Sequence, residues 1–235
     1  MRILKLFVLL LVFSSCTVQQ IQQTIGDYLE TDELTTDQVI SGLKEALIKG
    51  TNVSTSQASQ ANGFFGNPAI KIPFPPDVQK VEDKLRSLGL GGEVDKFVKT
   101  LNEGAEQAAK EAAPIFINAI RGMSVKDAWG ILKGDDNAAT AYLKANTSAD
   151  LKAKFLPVIK KALDNTKATK YYGDLITTYN KIPFVDDVNP SLEDYATERA
   201  LQGLFSLVAD QEKAIRKDPV QRTTDLLKKV FAQQD

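Results

Sequence analysis

Residues 93–121 read EVDKFVKTLNEGAEQAAKEAAPIFINAIR, and this stretch decides the fold class. Val94, Phe97, Val98, Leu101, Ala105, Ala108, Ala112, Ile115, Phe116, Ala119 and Ile120 recur three or four residues apart, which is the period of one helix face. No strand alternation competes with it here or elsewhere in the chain. Pro114 is expected to kink this helix or to start a new segment, because proline lacks the N–H and crowds the preceding turn.

Working outward, a helix is expected from near Thr36, with Val39, Ile40, Leu43, Ala46, Leu47, Gly50 and Val53 on its apolar face. Its second half, 51–61, is rich in Ser, Thr and Gln and is a weaker helix former by itself. Residues 77–88 read as a helix closed by Gly89. Ser124 with Asp127 has the form of a capping box and opens a helix to Leu132. Asp135, Asp136 and Asn137 are placed to cap a helix over 138–145. Thr147 with Asp150 repeats the capping pattern before a helix over 151–163 that contains Pro157. Further helices are expected over 169–179, then from Asn189 as N-cap and Pro190 as first helical residue to about Lys217, and from Pro219 through Phe231. The fold class is therefore all-α, with about eight or nine helices in one domain over 35–235.

Between the first two helices lies a segment of a different kind. Asn62-Gly63-Phe64-Phe65-Gly66-Asn67-Pro68 is followed by Lys71-Ile72-Pro73-Phe74-Pro75-Pro76. The glycines and prolines mark a loop. Yet Phe64, Phe65, Ile70, Ile72 and Phe74 make it too apolar for an ordinary surface loop, so it should pack inward or cover something. Lys181-Ile182-Pro183-Phe184 repeats one of its tetrapeptides.

The N-terminus adds an address. Arg2 and Lys5 precede an apolar run, Leu6 to Phe13, and then Ser14, Ser15 and Cys16. A basic start, an apolar core and small residues are the parts of a secretory signal. Leu11-Val12-Phe13-Ser14-Ser15-Cys16 has the form of a lipobox, which makes Cys16 the expected lipid acceptor. The apolar run is far shorter than the ~20 residues that span a bilayer. Residues 1–15 then form the signal peptide, and 16–34, polar and rich in Gln, a tether. Thr17 is not an aspartate that would mark inner-membrane retention, so the expected location is the outer membrane, facing the periplasm.

Composition excludes several functions. There is no histidine, and Cys16 is the only cysteine. Ser-His-Asp, Cys-His and His-containing zinc sites are excluded, and so is an intramolecular disulfide. Loss of 1–15 removes two of the 29 basic residues and none of the 30 acidic ones, so the mature chain is slightly acidic. It carries no basic stripe of the kind that binds nucleic acid. No cofactor and no metal are expected.

From Gly42 onward the sequence resembles a bacterial family catalogued as domain of unknown function 4197. The resemblance is carried by 42–47, 63–67, 71–75, 128–136 with 138–140, 200–205, 215–219 and 222–231. It implies an exported helical envelope protein and no particular activity. Two positions depart from the pattern: Glu103 stands where Arg is usual after Asn102, and Gln202 where Asp is usual.

Several polar groups are candidates for a site. Asn102 and Glu106 lie one turn apart, and Arg121 would share their face on an uninterrupted helix. Together they would form a polar ligand cluster, or else internally paired and solvent-facing groups. Arg216, Asp218, Arg222 and Asp225 flank the last helix junction, either as an anion grip or as an ion-pair staple. Asp186, Asp187, Asn189, Glu193 and Asp194 are hard oxygen donors, but their spacing is not that of an EF-hand, and helix capping accounts for them. Trp129, Tyr142, Tyr171, Tyr172 and Tyr179 read as core or core-edge residues.

The expected function is that of a non-enzymatic, lipid-anchored module that binds an amphipathic small ligand or an envelope partner. Phe64, Phe65, Phe74 and Phe184 of the two apolar loops, with Asn102, Glu106, Arg121, Arg216 and Arg222, are the candidate contacts. Two alternatives stay open: a hydrolase using carboxylate and Arg chemistry, and a structural envelope protein. Oligomeric state is not legible.

Overall fold

Seven helices succeed one another along the described residues of the computed structural model: α1 Thr36–Ser59, α2 Gln79–Ser87, α3 Gly91–Ala109, α4 Ala112–Arg121, α5 Val125–Leu132, α6 Ala138–Asp164 and α7 Leu192–Lys217. A 3₁₀ turn, Pro76–Val78, leads into α2. The structure describes residues 35–165 and 191–218, with Tyr172, Gly173, Thr177, Asn180, Lys181, Lys228 and Val230. The expected signal peptide and tether, the expected second apolar loop with Phe184, and the helix expected from Pro219 with Arg222 lie outside these residues. So does nearly all of the helix expected over 169–179. The helices belong to the second of two units, Thr36–Asp235. No strand occurs among the described residues.

The long helices pack because each carries one apolar stripe. α6 lies against α3 and α7, and α1 lies against α7 and α4. Leu101, Phe116, Ile120, Leu143, Leu151, Phe155, Ile159, Leu163 and Leu204 are fully buried between them. Each such side chain contributes about 1.5–3 kcal/mol. Phe116 meets Phe205 edge-on, with ring centroids 5.8 Å apart. Gly104 brings α3 close to α6, since a Cβ there would already lie 3.4 Å from that of Ala162.

One open alternative is resolved and two local expectations are corrected. The 93–121 stretch is two helices, broken at Lys110–Glu111, with Pro114 in the first turn of the second. An N–H at that position has no intrahelical acceptor, so the proline forfeits nothing there. Residues 138–164 form one helix, and Thr147 starts nothing. Its hydroxyl is buried and donates to the Leu143 carbonyl at 2.7 Å, so the i−4 backbone takes the group that would have capped. The last long helix opens on Ser191, not Asn189: the Ser191 hydroxyl accepts from the Asp194 N–H at 3.1 Å. By contrast, the capping box of Ser124 and Asp127 is complete in both directions. The Ser124 hydrogen bonds hold the Asp127 carboxyl below its ordinary range.

The weak half of α1 is held by its neighbours and by its own hydroxyls. Thr51, Ser54 and Thr55 are buried, and each donates to a carbonyl of the preceding turn. Val53, expected on the apolar face, is exposed. α2 has no buried residue and rides on α3 through Arg86, which pairs with Glu82 at 2.8 Å and Asp95 at 2.9 Å.

Candidate functional site

The apolar loop packs inward. Phe64, Ile70, Ile72 and Phe74 are buried, and Phe65 is half-buried with the Lys71 ammonium 4.2 Å above its ring. Phe74 meets Phe97 in a tilted contact, with ring centroids 5.1 Å apart. The close fit depends on two glycines. A Cβ on Gly63 would run into the carbonyl oxygens of Gln57 and Ala58. A Cβ on Gly203 of α7 would lie 2.8 Å from Phe64 Cε1 and 3.0 Å from Ile70 Cβ. Gly203→Ala should therefore destabilise the protein, because overpacking at ~1–3 kcal/mol exceeds the gain in helix propensity. Gly130→Ala, with nothing within 4 Å of its added methyl, should stabilise by about 0.5–1 kcal/mol. Opposite shifts in urea midpoint are the expected result; a stabilised Gly203→Ala would refute this account of the contact.

Asn102 and Glu106 explain how the loop backbone is satisfied. Both are buried on α3, one turn apart. Glu106 accepts from the Asn62 N–H at 3.2 Å and from the Phe64 and Phe65 N–H groups at 3.1 Å each. Asn102 accepts from the Ile72 N–H at 2.8 Å and donates to the Ile72 carbonyl at 2.8 Å and the Val98 carbonyl at 2.7 Å. A buried polar group must find partners inside the protein, and these two find the loop. Arg121 does not join them. It is exposed at the end of α4, where its carbonyl accepts from Lys44 Nζ at 3.0 Å. The helix break upstream of Pro114 destroys the shared face on which the three-residue cluster depended. The two departures from the resembled pattern are surface pairs: Glu103 with Lys99 at 3.6 Å, and Gln202 with Arg199 at 3.2 Å.

A second buried carboxylate does for α6 what Glu106 does for the loop, and sequence reasoning missed it. Glu212 on α7 accepts from the Ala139 N–H at 2.9 Å and from the Thr140 N–H and hydroxyl at 2.8 Å each. It caps the N-terminus of α6, where Asn137 makes no side-chain cap. Arg216 neutralises it at 2.9 Å and donates through Nη2 to the Ile131 carbonyl at 2.8 Å, near the end of α5. The available signal was a glutamate placed on the apolar stripe Leu204, Val208, Ile215, one turn before an arginine.

Beside this junction lies an open cleft of about 580 Å³. Trp129, Leu132, Lys133 and Asp136 line it together with Arg216 and Lys217 of α7. Trp129 is half-buried, and the Lys133 ammonium lies 5.1 Å from its ring centroid. Lys217 pairs with Asp136 at 2.6 Å. That hydrogen bond first, and then the positive charges of Lys217, Arg216 and Lys213, hold the Asp136 carboxyl below its ordinary range. A hollow of similar size between α3 and α6, at Gln107, Pro157 and Lys161, has no aromatic wall. The recess beside the apolar loop, at Lys71, Arg199 and Gln202, holds only about 160 Å³.

No cluster of acidic or thiol groups suited to a metal occurs among the described residues. Of the acidic group at 186–194, Glu193 pairs with Lys160 at 3.5 Å and Asp194 with Lys152 at 3.8 Å; the rest lies outside the described residues. Cys16, Phe184 and Arg222 lie outside them too.

No curated protein matches the chain, and neither does any solved structure. Residues 33–232 match the family described as "protein of unknown function (DUF4197)", and the chain belongs to that family.

Proposed function

We propose that this protein is a non-enzymatic, lipid-anchored helical module that binds an amphipathic small molecule in the cleft beside Trp129, on the periplasmic face of the outer membrane. The observation that carries the reading is the cleft itself. Its volume of about 580 Å³ is in the range of small-molecule sites, and it combines an indole wall with a few convergent charged groups. The loop between α1 and the 3₁₀ turn is a poorer candidate, because its apolar side chains are already spent on the core. The hydrolase alternative loses its main support in the same way, since Asn102 and Glu106 spend their lone pairs on backbone amides. No helix among the described residues is long and apolar enough to cross a membrane; the attachment proposed is through a lipid on Cys16.

Two measurements test the reading. Membrane fractionation of the Cys16→Ala chain should move the protein into the soluble fraction with its helical circular dichroism intact; retention in the membrane would end the anchor proposal. Native mass spectrometry of the wild-type protein extracted from its host should show a bound small molecule that Trp129→Ala loses. A protein that is repeatedly empty would remove the binding proposal.

A further inference from the structure

We infer that the Trp129 cleft selects an anionic group, phosphate or carboxylate, carried on an apolar body; this rests on the cleft being the binding site proposed above. The charge balance of the lining points that way. Lys133, Arg216 and Lys217 face the cleft with only one lining carboxylate, Asp136. Glu212, the other nearby acid, is buried and committed to the α6 N-terminus and to Arg216.

The three cations differ in what they can do. Arg216 is fixed: its side chain is 8 % exposed, and it is held by Glu212 and by the Ile131 carbonyl. Its charge is balanced by Glu212, so it gives the wall a fixed guanidinium edge and not a net positive charge. Lys217 is more exposed. Its pair with Asp136 is more than half exposed on both sides, where water screens the attraction, so an incoming anion can displace Asp136 from it readily. Lys133 is exposed and makes no ion pair with any described residue; its described contact is the face of Trp129. It stands at the aromatic wall with an ammonium to offer. An anionic head would lie between Lys133 and Lys217, with the apolar body against the Trp129 indole and Leu132. A cationic ligand would meet the Lys133 ammonium with like charge.

Trp129 is the only tryptophan in the chain, so its fluorescence reports on this cleft alone. The experiment titrates the full-length Cys16→Ala chain, free of lipid anchor, with octyl phosphate, octanoate, octylammonium, octyl glucoside and inorganic phosphate, all below micelle-forming concentrations. Octyl phosphate and octanoate should change Trp129 emission saturably. Inorganic phosphate, which lacks the apolar body, should bind at least tenfold more weakly, and octylammonium and octyl glucoside weaker still. The double variant Lys133→Ala, Lys217→Ala should weaken octyl phosphate roughly tenfold, the equivalent of two partly exposed charge contacts. Both side chains are on the surface, and an unchanged melting temperature will confirm that the variant is folded. If octyl glucoside or octylammonium binds as tightly as octyl phosphate, the anion selectivity is wrong while the binding proposal stands. If inorganic phosphate binds equally well, the apolar body is irrelevant and the inference falls. If no probe perturbs Trp129, both the inference and the binding proposal fail.

Discussion

Glu106→Ala should cost about 3–5 kcal/mol of stability, a large share of the 5–15 kcal/mol that separates a folded domain from its unfolded chain. The substitution removes one carboxylate and leaves three amide donors without acceptors: those of Asn62, Phe64 and Phe65. Phe64 is fully buried, so its N–H has no route to water. Each buried donor left unpaired costs ~1–3 kcal/mol, and hydrogen bonds to a charged acceptor lie at the strong end of the range. Glu106→Gln keeps one acceptor oxygen but sets an amide N–H₂ against another donor, so it should lose about half as much. Urea unfolding followed by circular dichroism measures both. Hydrogen exchange should locate the damage, with Phe64 and Phe65 losing protection before the core of α6 does. A Glu106→Ala protein within about 0.5 kcal/mol of wild type would show that the clamp contributes nothing. A Glu106→Gln protein of normal stability that had lost ligand would instead return Glu106 to the site from which its geometry removes it.

A loss of similar size is expected for Glu212→Ala, by a different route. Here the groups that lose their acceptor are two N–H donors and a hydroxyl at the start of α6, and an Arg216 guanidinium that is 8 % exposed loses its paired carboxylate. Removing one partner of a buried ion pair costs about 3–5 kcal/mol, chiefly because the other charge stays behind uncompensated. Arg216→Met alone should cost less, since Glu212 keeps its three donors from Ala139 and Thr140. The double variant should be more stable than the sum of the single losses predicts. A coupling energy above ~1 kcal/mol in that cycle is the expected result. Strict additivity would mean that the two side chains do not act as a unit.

What could be read locally was read from short-range chemistry. The capping box at Ser124 and Asp127 involves residues three apart and a helix that must start there, and it is present as expected. The same pattern at Thr147 and Asp150 misled, because burial of Thr147 turned its hydroxyl onto the Leu143 carbonyl, and a continuous helix satisfied the backbone better than a cap would. Asn189 and Ser191 were both able to open α7, and their identities alone do not rank them; the Ser191 side chain is the one that meets Asp194 at the N3 position. Pro114 was recognised as a disruption, but only the break before it decided that Arg121 would not face Glu106.

The amino-acid sequence by itself determined that the chain is helical, because apolar spacing is set by the 3.6-residue turn and needs no partner to be visible. It also determined what chemistry is missing, since a chain with no histidine and one cysteine cannot assemble the commonest nucleophilic or zinc sites. Tertiary structure decided what the polar residues are for. Glu106 meets the Phe64 amide across 42 residues of chain, and Glu212 meets the Thr140 amide across 72. No local pattern encodes such a pairing, because it exists only once the helices have packed and left particular backbone groups buried without water. The Trp129 cleft has the same origin. Its two walls, around Trp129 and around Arg216, are far apart in sequence and become one cleft only when Glu212 and Arg216 tie α5, α6 and α7 together.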